Sequence, residues 1–305
     1  MIGLLFTPTM APWGPPPIGQ QVFVQGTVAF EDCRFEAWSG STLGEGAVDV
    51  LGGVVAFHRC NLTSWSHNAA LRVVAGVCTI TDTVLTGPSQ SITTNPCCWQ
   101  TTQNVALLNQ GGVVIASRIT AHGGHSLCGL CSGSGAAGIE VAAGASMFLT
   151  DSTVRGGSPA SNGLLGHAGV WLARNTILAG SGSPTPVVGA VVVPELLGLG
   201  AAVAPLLGQT FSVTAMSSAP AAILAFFCAF DWTASALPPF PEPWLLPTGQ
   251  AITIALYAPA PSNTVVYGLA VPNAAPLAGV QLWMQAAQFG NGTLHASPLV
   301  GGTIR

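Results

Sequence analysis

The chain has 305 residues and a formal net charge of −4, and only 6% of its residues are charged. All seven basic residues are arginine, whereas glycine (38) and proline (23) are abundant. The lack of a cationic face argues against nucleic acid as a partner, and the scarcity of Lys, Glu and Gln argues against helical bundles. The composition therefore favours an all-β protein whose surface consists of Ser, Thr, Asn, Gly and Ala.

The N-terminal segment, residues 1–19, begins with a short apolar stretch, Met1–Phe6. We predict that this stretch forms a strand that caps one end of the fold or pairs with a neighbouring subunit. No positively charged region precedes it, so a signal peptide is not visible in the sequence.

Residues 20–182 repeat a short unit that consists of an apolar strand, a bend at a small residue, a second strand and a Gly-rich turn. The six units align as Phe30-x-x-Cys33-x-Phe35, Phe57-x-x-Cys60-x-Leu62, Ile80-x-x-Thr83-x-Leu85, Val114-x-x-Ser117-x-Ile119, Leu149-x-x-Ser152-x-Val154 and Leu172-x-x-Asn175-x-Ile177. One unit cannot bury its own apolar face, but coils stacked about 4.8 Å apart bury a continuous ladder of side chains. The repeat therefore predicts a parallel β-solenoid.

These units resemble the right-handed parallel β-helix repeats of secreted bacterial proteins, as in FEDCRFEAWSG, FHRCNLTSWSH and LTDSTVRGG. The resemblance implies the fold and an extracellular or cell-surface location. It does not imply one chemistry, because such proteins include polysaccharide lyases, hydrolases, adhesins and inert scaffolds.

Residues 187–305 lose the repeat and contain alternating runs between Pro- and Gly-rich turns: Gln209–Met216, Ala251–Tyr257, Val265–Val271 and Val280–Ala286. This pattern predicts a small antiparallel β-sandwich or barrel-like module, which we expect to cover an open end of the solenoid. The apolar run 187–208 is as long as a membrane span, but its prolines and glycines favour strands and turns.

Two longer coils carry Cys- and His-containing insertions, Cys97-Cys98-Trp99 and His122-x-x-His125-x-x-Cys128-x-x-Cys131. The second spacing could hold Zn through His122, His125, Cys128 and Cys131. The alternatives are disulfides among Cys97, Cys98, Cys128 and Cys131 or free thiols. Cys33 and Cys60 fall in one column on adjacent coils, which suits either a disulfide or a ladder of buried thiols.

In each unit, the residue directly before the small residue at the bend forms a second column, and this column is mostly charged. Its members are Asp32, Arg59, Asp82, Ala116, Asp151 and Arg174. One interpretation is an exposed ion ladder that fixes the register of the coils. The other is that Asp82 and Asp151, two coils apart, are a catalytic acid pair for glycoside hydrolysis. Trp38 and Trp65 occupy equivalent positions on neighbouring coils, where they either bind sugar rings or pack beneath adjacent loops.

We expect a non-catalytic structural or adhesive protein that associates with itself as a homo-oligomer or filament, because a surface so poor in charge promotes association. We also expect that the protein has no cofactor, no nucleic-acid partner and no membrane-spanning segment. The alternatives are a carbohydrate-binding or carbohydrate-cleaving β-helix with a polysaccharide partner, and a protein that binds Zn through its Cys/His loop.

Overall fold

The structure of the chain is a computed structural model. It describes residues 5–6, 22–37, 47–65, 69–88, 105–125, 135–158, 160–167, 169–182, 185–217, 223–258 and 262–305. In these residues the regular structure is β apart from one 3-10 turn, Ala275–Leu277. None of the described helical structure has the length and hydropathy needed to cross a bilayer.

The first part of the chain forms three parallel sheets, and each successive coil adds one strand to each sheet. Sheet A contains β1 (Leu5–Phe6), β4 (Arg34–Ala37), β7 (Asn61–Ser64), β10 (Val84–Thr86), β13 (Thr120–His122), β16 (Thr153–Arg155) and β19 (Thr176–Leu178). Sheet B contains β2 (Val22–Val24), β5 (Val48–Val50), β8 (Leu71–Val73), β11 (Leu107–Asn109), β14 (Ile139–Val141), β17 (Leu164–Gly166) and β20 (Val187–Val188). Sheet C contains β3 (Thr27–Glu31), β6 (Val54–His58), β9 (Val77–Thr81), β12 (Val113–Ser117), β15 (Ser146–Thr150), β18 (Val170–Ala173) and β21 (Val191–Val192). The predicted parallel β-helix is confirmed.

The core of the solenoid is built from equivalent side chains that lie above one another. Phe30, Phe57 and Ile80 are partners in successive strands, and the rings of Phe30 and Phe57 stack with their centroids 5.2 Å apart. This contact is the ladder that the repeat predicts, and it removes apolar surface from water along the whole stack.

One coil has a different register from the one that the sequence alignment predicts. Ile80 and Leu149 pair with Ala116, not with Val114. Ser117 consequently pairs with Thr81, on the outward side of sheet C. Ile119 takes the position at the bend that small residues occupy in most other coils. The alignment of the units was wrong by two residues in this coil, because the template letters match Val114-x-x-Ser117-x-Ile119 whereas the observed unit, Ala116-x-x-Ile119-x-Ala121, has a large residue at the small-residue position.

The turn between sheets B and C requires glycine where coils meet closely. Gly53 and Gly76 have φ values of 81° and 84°, in the left-handed region that glycine reaches without strain. A Cβ atom on Gly53 would lie 2.2 Å from the Gly26 carbonyl oxygen, and one on Gly76 would lie 2.4 Å from the Gly53 oxygen. Side chains at these positions would push successive coils apart.

The C-terminal module consists of two antiparallel sheets, as predicted. Sheet D contains β22 (Gly198–Gly200), β23 (Thr210–Met216) and β26 (Thr264–Ala270). Sheet E contains β24 (Ile223–Ala229), β25 (Ile252–Tyr257), β27 (Gln281–Gly290), β28 (Thr293–Ala296) and β29 (Val300–Thr303). Phe211 and Val213 of sheet D share an apolar core with Phe226 and Met284 of sheet E.

The module lies along the side of the solenoid and not over an end. Trp283 and Ala287 of sheet E belong to an apolar cluster that also contains Ala56, Ile115 and Phe148 on the outer face of sheet C. The expectation that the module covers an open end is therefore wrong. Sheet E is a middle layer, with sheet D on one face and sheet C on the other.

This layering explains why β24 was not predicted from sequence. Its residues, ILAFFCA, form a continuous apolar run without alternation, and such a run does not distinguish a strand from other buried segments. Phe226 packs into the module's own core, whereas Phe227 packs beside the cluster at the solenoid. A strand that is covered on both faces needs no polar face.

The last coil continues beyond residue 182. β20 pairs with β17, and β21 pairs with β18, in the same parallel registers as the earlier coils. The apolar run 187–208 thus contains β20, β21 and β22, which confirms strands in this segment; the predicted burial holds for β22 but not for β20 and β21, where Val188, Val191 and Val192 are exposed.

Candidate functional site

An alternating row of charges lies along one edge of sheet C, at the residue that follows each of its first six strands. We call it the charge ladder; it consists of Asp32, Arg59, Asp82, Arg118, Asp151 and Arg174. Arg118 occupies the place where the sequence alignment put Ala116. The corrected register therefore makes the alternation of acid and base complete.

Every residue of the ladder has a left-handed backbone. The φ values range from 51° to 56°, a conformation that costs a residue with a side chain about 1–2 kcal/mol. Asp tolerates this region because its short side chain can bond locally, but Arg has no such advantage. The ion pairs between coils offset part of this cost.

Three of the ion pairs join neighbouring coils directly. Each guanidinium donates from Nε to the aspartate of the preceding coil, over 2.8 Å for Arg59–Asp32, 2.7 Å for Arg118–Asp82 and 2.6 Å for Arg174–Asp151. Arg174 also donates from its second nitrogen to Asp151 Oδ2 at 2.8 Å. Bidentate geometry of this kind is the stronger form of the arginine–carboxylate pair.

Strand β22 of the C-terminal module lies on the ladder, and glycine allows this approach. A Cβ atom at Gly198 would lie 1.9 Å from Asp151 Oδ2, and one at Gly200 would lie 2.4 Å from Arg118 Cδ. The amide of Ala201 donates to Asp82 Oδ2 at 3.2 Å. The ladder is consequently partly covered by the module, whereas the ion-ladder interpretation of the sequence predicts an exposed one.

The two acids proposed as a catalytic pair have structural partners. Arg118 stands between Asp82 and Asp151 in the ladder and binds the first, while Arg174 binds the second. Burial raises the pKa of Asp82, although Arg118 and the Ala201 amide oppose this shift. A raised pKa suits a general acid, but both oxygens of Asp82 already accept hydrogen bonds. The arrangement thus favours a docking role for these carboxylates.

A column of buried polar side chains lies beside the ladder, beneath the module. His58 Nδ1 contacts Thr81 Oγ1, and its ring lies 5.3 Å from the ring of Trp283. Burial, together with Arg59, lowers the pKa of His58 to about 3. Glu31 accepts a hydrogen bond of 3.0 Å from the Thr303 amide. These groups fix the module to the first coils of the solenoid.

The junction between the solenoid and the module also contains a cavity of about 350 Å³, which we call the junction cavity. One wall is the outer face of sheet C, including Ser146, Phe148 and Trp171, and the other is the segment 234–243 of the module. Glu242 is among the residues that line the cavity, but its side chain is buried. Its Oε1 atom is 2.8 Å from His295 Nδ1, and its Oε2 accepts a hydrogen bond of 3.1 Å from the Ala296 amide.

The predicted metal site is only partly within the described residues. His122 ends β13 and His125 Nδ1 accepts a hydrogen bond of 2.9 Å from the Ser158 amide, whereas Cys128 and Cys131 lie outside the described residues. Burial lowers the pKa of His122, and Arg155 and His125 add to this. In the part of the chain that the structure describes, no three His, Cys, Asp or Glu side chains form a metal-binding group.

The remaining cysteine and tryptophan predictions have mixed outcomes. Cys33 and Cys60 are buried thiols that form no disulfide; Cys33 donates to the carbonyl oxygen of Glu31, and Cys60 donates to those of Phe30 and His58. Of the two alternatives that the sequence allowed for this pair, the structure therefore has the ladder of buried thiols and not the disulfide. Trp65 is 46% exposed. The other tryptophan and cysteine candidates, Trp38, Cys97 and Cys98, lie outside the described residues.

Sequence reasoning missed Arg118, Glu242 and His295. Arg118 had a usable signal, because an arginine between Asp82 and Asp151 completes the alternation of charge. Glu242 lies in a Pro-rich stretch, FPEPW, and His295 is 53 residues away, so no local pattern joins them. Comparison of the chain with protein-family models, with curated proteins and with solved structures finds no match.

Proposed function

We propose that the protein is a non-catalytic structural or adhesive protein of the extracellular space or cell surface, and that its solenoids stack end to end into filaments. The observation that carries this proposal is the edge of the last coil. β19, β20 and β21 are the terminal strands of sheets A, B and C, so each pairs on one side only within the described residues.

The side chains of this last coil are apolar and exposed. Val191 is 59% exposed and Val192 is 74% exposed, and Leu178 and Val188 are exposed as well. An uncovered strand edge with apolar side chains is a template for pairing with another chain. Natural monomers usually protect such edges with charge or proline, and no charged residue lies in these three strands.

A second copy of the chain is the occupant that fits this edge. At the opposite end of the stack, β1, β2 and β3 are the terminal strands of the same three sheets, and Phe23 is exposed there. Since all strands of a sheet run in parallel, the last coil of one molecule and the first coil of the next could continue the three sheets head to tail. A head-to-tail contact that does not close produces a filament.

The low charge of the chain supports the same proposal. A formal net charge of −4 over 305 residues gives little repulsion between copies. The ion pairing of Asp82 and Asp151 supports the non-catalytic part, because Asp82 accepts a hydrogen bond from the module and Asp151 holds Arg174, which itself donates to the module.

The test is the concentration dependence of mass, measured by light scattering after size exclusion, with electron microscopy of the same samples. We expect species that lengthen with concentration. Val192→Lys should raise the concentration needed for association at least about tenfold, equivalent to about 1.4 kcal/mol per contact. The matched control is Val266→Lys, at another exposed valine in β26 (61%), which should associate like the wild type. A monodisperse wild-type monomer at all concentrations, or equal effects of the two variants, would refute end-to-end stacking.

A second candidate is polysaccharide binding, which the exposed indole of Trp65 favours, since exposed Trp side chains bind sugars through ring contacts. Titration with neutral and acidic polysaccharides should then show binding that Trp65→Ala weakens. Absence of binding to a broad glycan array would remove this candidate.

A further inference from the structure

The two ends of the solenoid are incomplete in opposite ways. The first full coil consists of β2, β3 and β4, and the last full coil consists of β17, β18 and β19. In the described part of the chain, only β20 and β21 follow the last full coil, and they extend sheets B and C. Only β1 precedes the first full coil there, and it extends sheet A. One end therefore has a coil that lacks its strand in sheet A, and the other end has a strand in sheet A that lacks its coil.

These two partial coils add up to one whole coil. Each of the three sheets has seven strands, although sheet A begins and ends one coil earlier than sheets B and C. A second copy moved along the axis by the height of these strands therefore places its β1 on β19, its β2 on β20 and its β3 on β21. All three sheets continue in this arrangement without a gap or an overlap.

The apolar core of the solenoid is open at both ends. Val192 pairs in register with Leu172 of the core, but Val192 is 74% exposed and Leu172 is 5% exposed. Val187 in the last coil and Val22 in the first coil are half-buried and pack against the same core. A further coil in the same register would remove this apolar surface from water.

The turn of the first coil also has room for a preceding coil. A Cβ atom on Gly53 would meet the backbone of Gly26 in the coil before it, so the glycines of this turn face the preceding coil closely. Gly26 has a φ of 104°, and a Cβ atom added there would meet nothing within 4 Å. The side of Gly26 that would face a preceding coil is therefore open.

We propose that a second copy of the chain supplies the missing strand of the last coil, so that β20 and β21 of one molecule and β1 of the next form one shared coil. This inference rests on the end-to-end stacking proposed above and specifies its register. In sheet A, Thr176 lies beside Leu5 of the next copy, and in sheet B, Val188 lies beside Phe23 of the next copy. The contact is head to tail and leaves the same ends free, so it repeats along a filament.

Disulfide cross-linking tests the shared coil at β1. In the proposed register, Leu5→Cys/Thr176→Cys places two Cα atoms about 4.8 Å apart across the contact, within the range that a disulfide spans. Leu5 and Thr176 lie at opposite ends of sheet A in one molecule, so a link between them joins two molecules. The matched control is Leu5→Cys/Thr153→Cys, because Thr153 is exposed in the same column one coil deeper and lies about 9.6 Å from Leu5 of the next copy.

The variants are oxidised with copper phenanthroline at a concentration at which the wild type associates, and the links are identified by peptide mapping. We expect at least about tenfold more of the 5–176 link than of the 5–153 link. Phe23→Cys/Val188→Cys tests the same register in sheet B without changing β1, and Phe23→Cys/Leu165→Cys is its control one coil deeper. Electron microscopy of wild-type filaments should show an axial rise of about 34 Å, which is the height of seven strands.

The outcomes separate this inference from the proposed function. Filaments with the 23–188 link but no excess of the 5–176 link over its control would overturn the shared coil and leave end-to-end stacking intact. Filaments with neither link in excess, or with a different axial rise, would overturn the register. A wild-type protein that stays monomeric at all concentrations would overturn both proposals.

Discussion

Replacing Arg174 with Met tests whether the charge ladder holds the C-terminal module to the solenoid. The guanidinium makes two contacts with Asp151, and it donates at 2.9 Å to the carbonyl oxygens of Leu196 and Met216 in the module. Met keeps most of the aliphatic stem of Arg and has the same preference against the left-handed backbone. The substitution therefore removes the charge and the hydrogen bonds with little change in packing or strain.

The expected loss follows from the burial of the pair. The side chains of Arg174 and Asp151 are 20% and 11% exposed, so the carboxylate that remains would be largely desolvated. Removing one partner of a buried pair costs about 3–5 kcal/mol, and the residual exposure of this pair places it at the lower end. We expect the free energy of unfolding to fall by about 3 kcal/mol.

Urea denaturation measures this loss through two signals. Far-UV circular dichroism reports the sheets as a whole, while tryptophan fluorescence includes Trp232, Trp244 and Trp283, which lie in the cluster at the junction. We expect the fluorescence transition of the variant to move to lower urea first, because the junction loses its anchor. Arg34→Met is the control, since Arg34 is 58% exposed and should change stability by less than about 0.5 kcal/mol.

The double variant Asp151→Asn/Arg174→Met separates the orphaned charge from the lost contacts. It should recover a substantial part of the stability, because a neutral amide is less costly to leave unpaired than a carboxylate. If Arg174→Met is as stable as Arg34→Met, or if the double variant is less stable than Arg174→Met alone, the ladder does not anchor the module.

Three further outcomes can be measured on the same protein. Gly198→Ala should destabilise the protein by at least about 2 kcal/mol in urea titrations, since its Cβ would meet Asp151, whereas Gly249→Ala, with open space around the added atom, should be neutral. The stability of the wild type should fall as the pH drops from 6.5 toward 3, because the unfolded chain protonates His58 in this range while the folded chain does not. His58 contributes up to about 1.4 kcal/mol per pH unit to this loss of stability. The variant His58→Gln should reduce the slope of stability against pH by the same amount. Burial raises the pKa of the Cys78 thiol, so peptide-mapped alkylation should label Cys78 only after denaturant is added, and labelling of the native protein would contradict its position in the core.

The sequence determined the coils of the solenoid because each coil contacts a near copy of itself. Partners such as Phe30 and Phe57 or Phe57 and Ile80 recur at the spacing of the repeat, so the letters that build one coil also build its neighbour. The exception, β12, shows the limit of this argument. Its letters fit the repeat in a register two residues away from the one that the strand adopts, in which Ala116 pairs with Ile80 and Leu149.

Only the tertiary structure decided how the module lies on the solenoid. The contact between Glu31 and Thr303 joins residues 272 positions apart, and the Glu242–His295 contact joins a Pro-rich loop to a strand. Such contacts have no period in the sequence, because they depend on the shapes of two separately built surfaces. The burial of the charge ladder, the double covering of β24 and the junction cavity all arise when these surfaces meet.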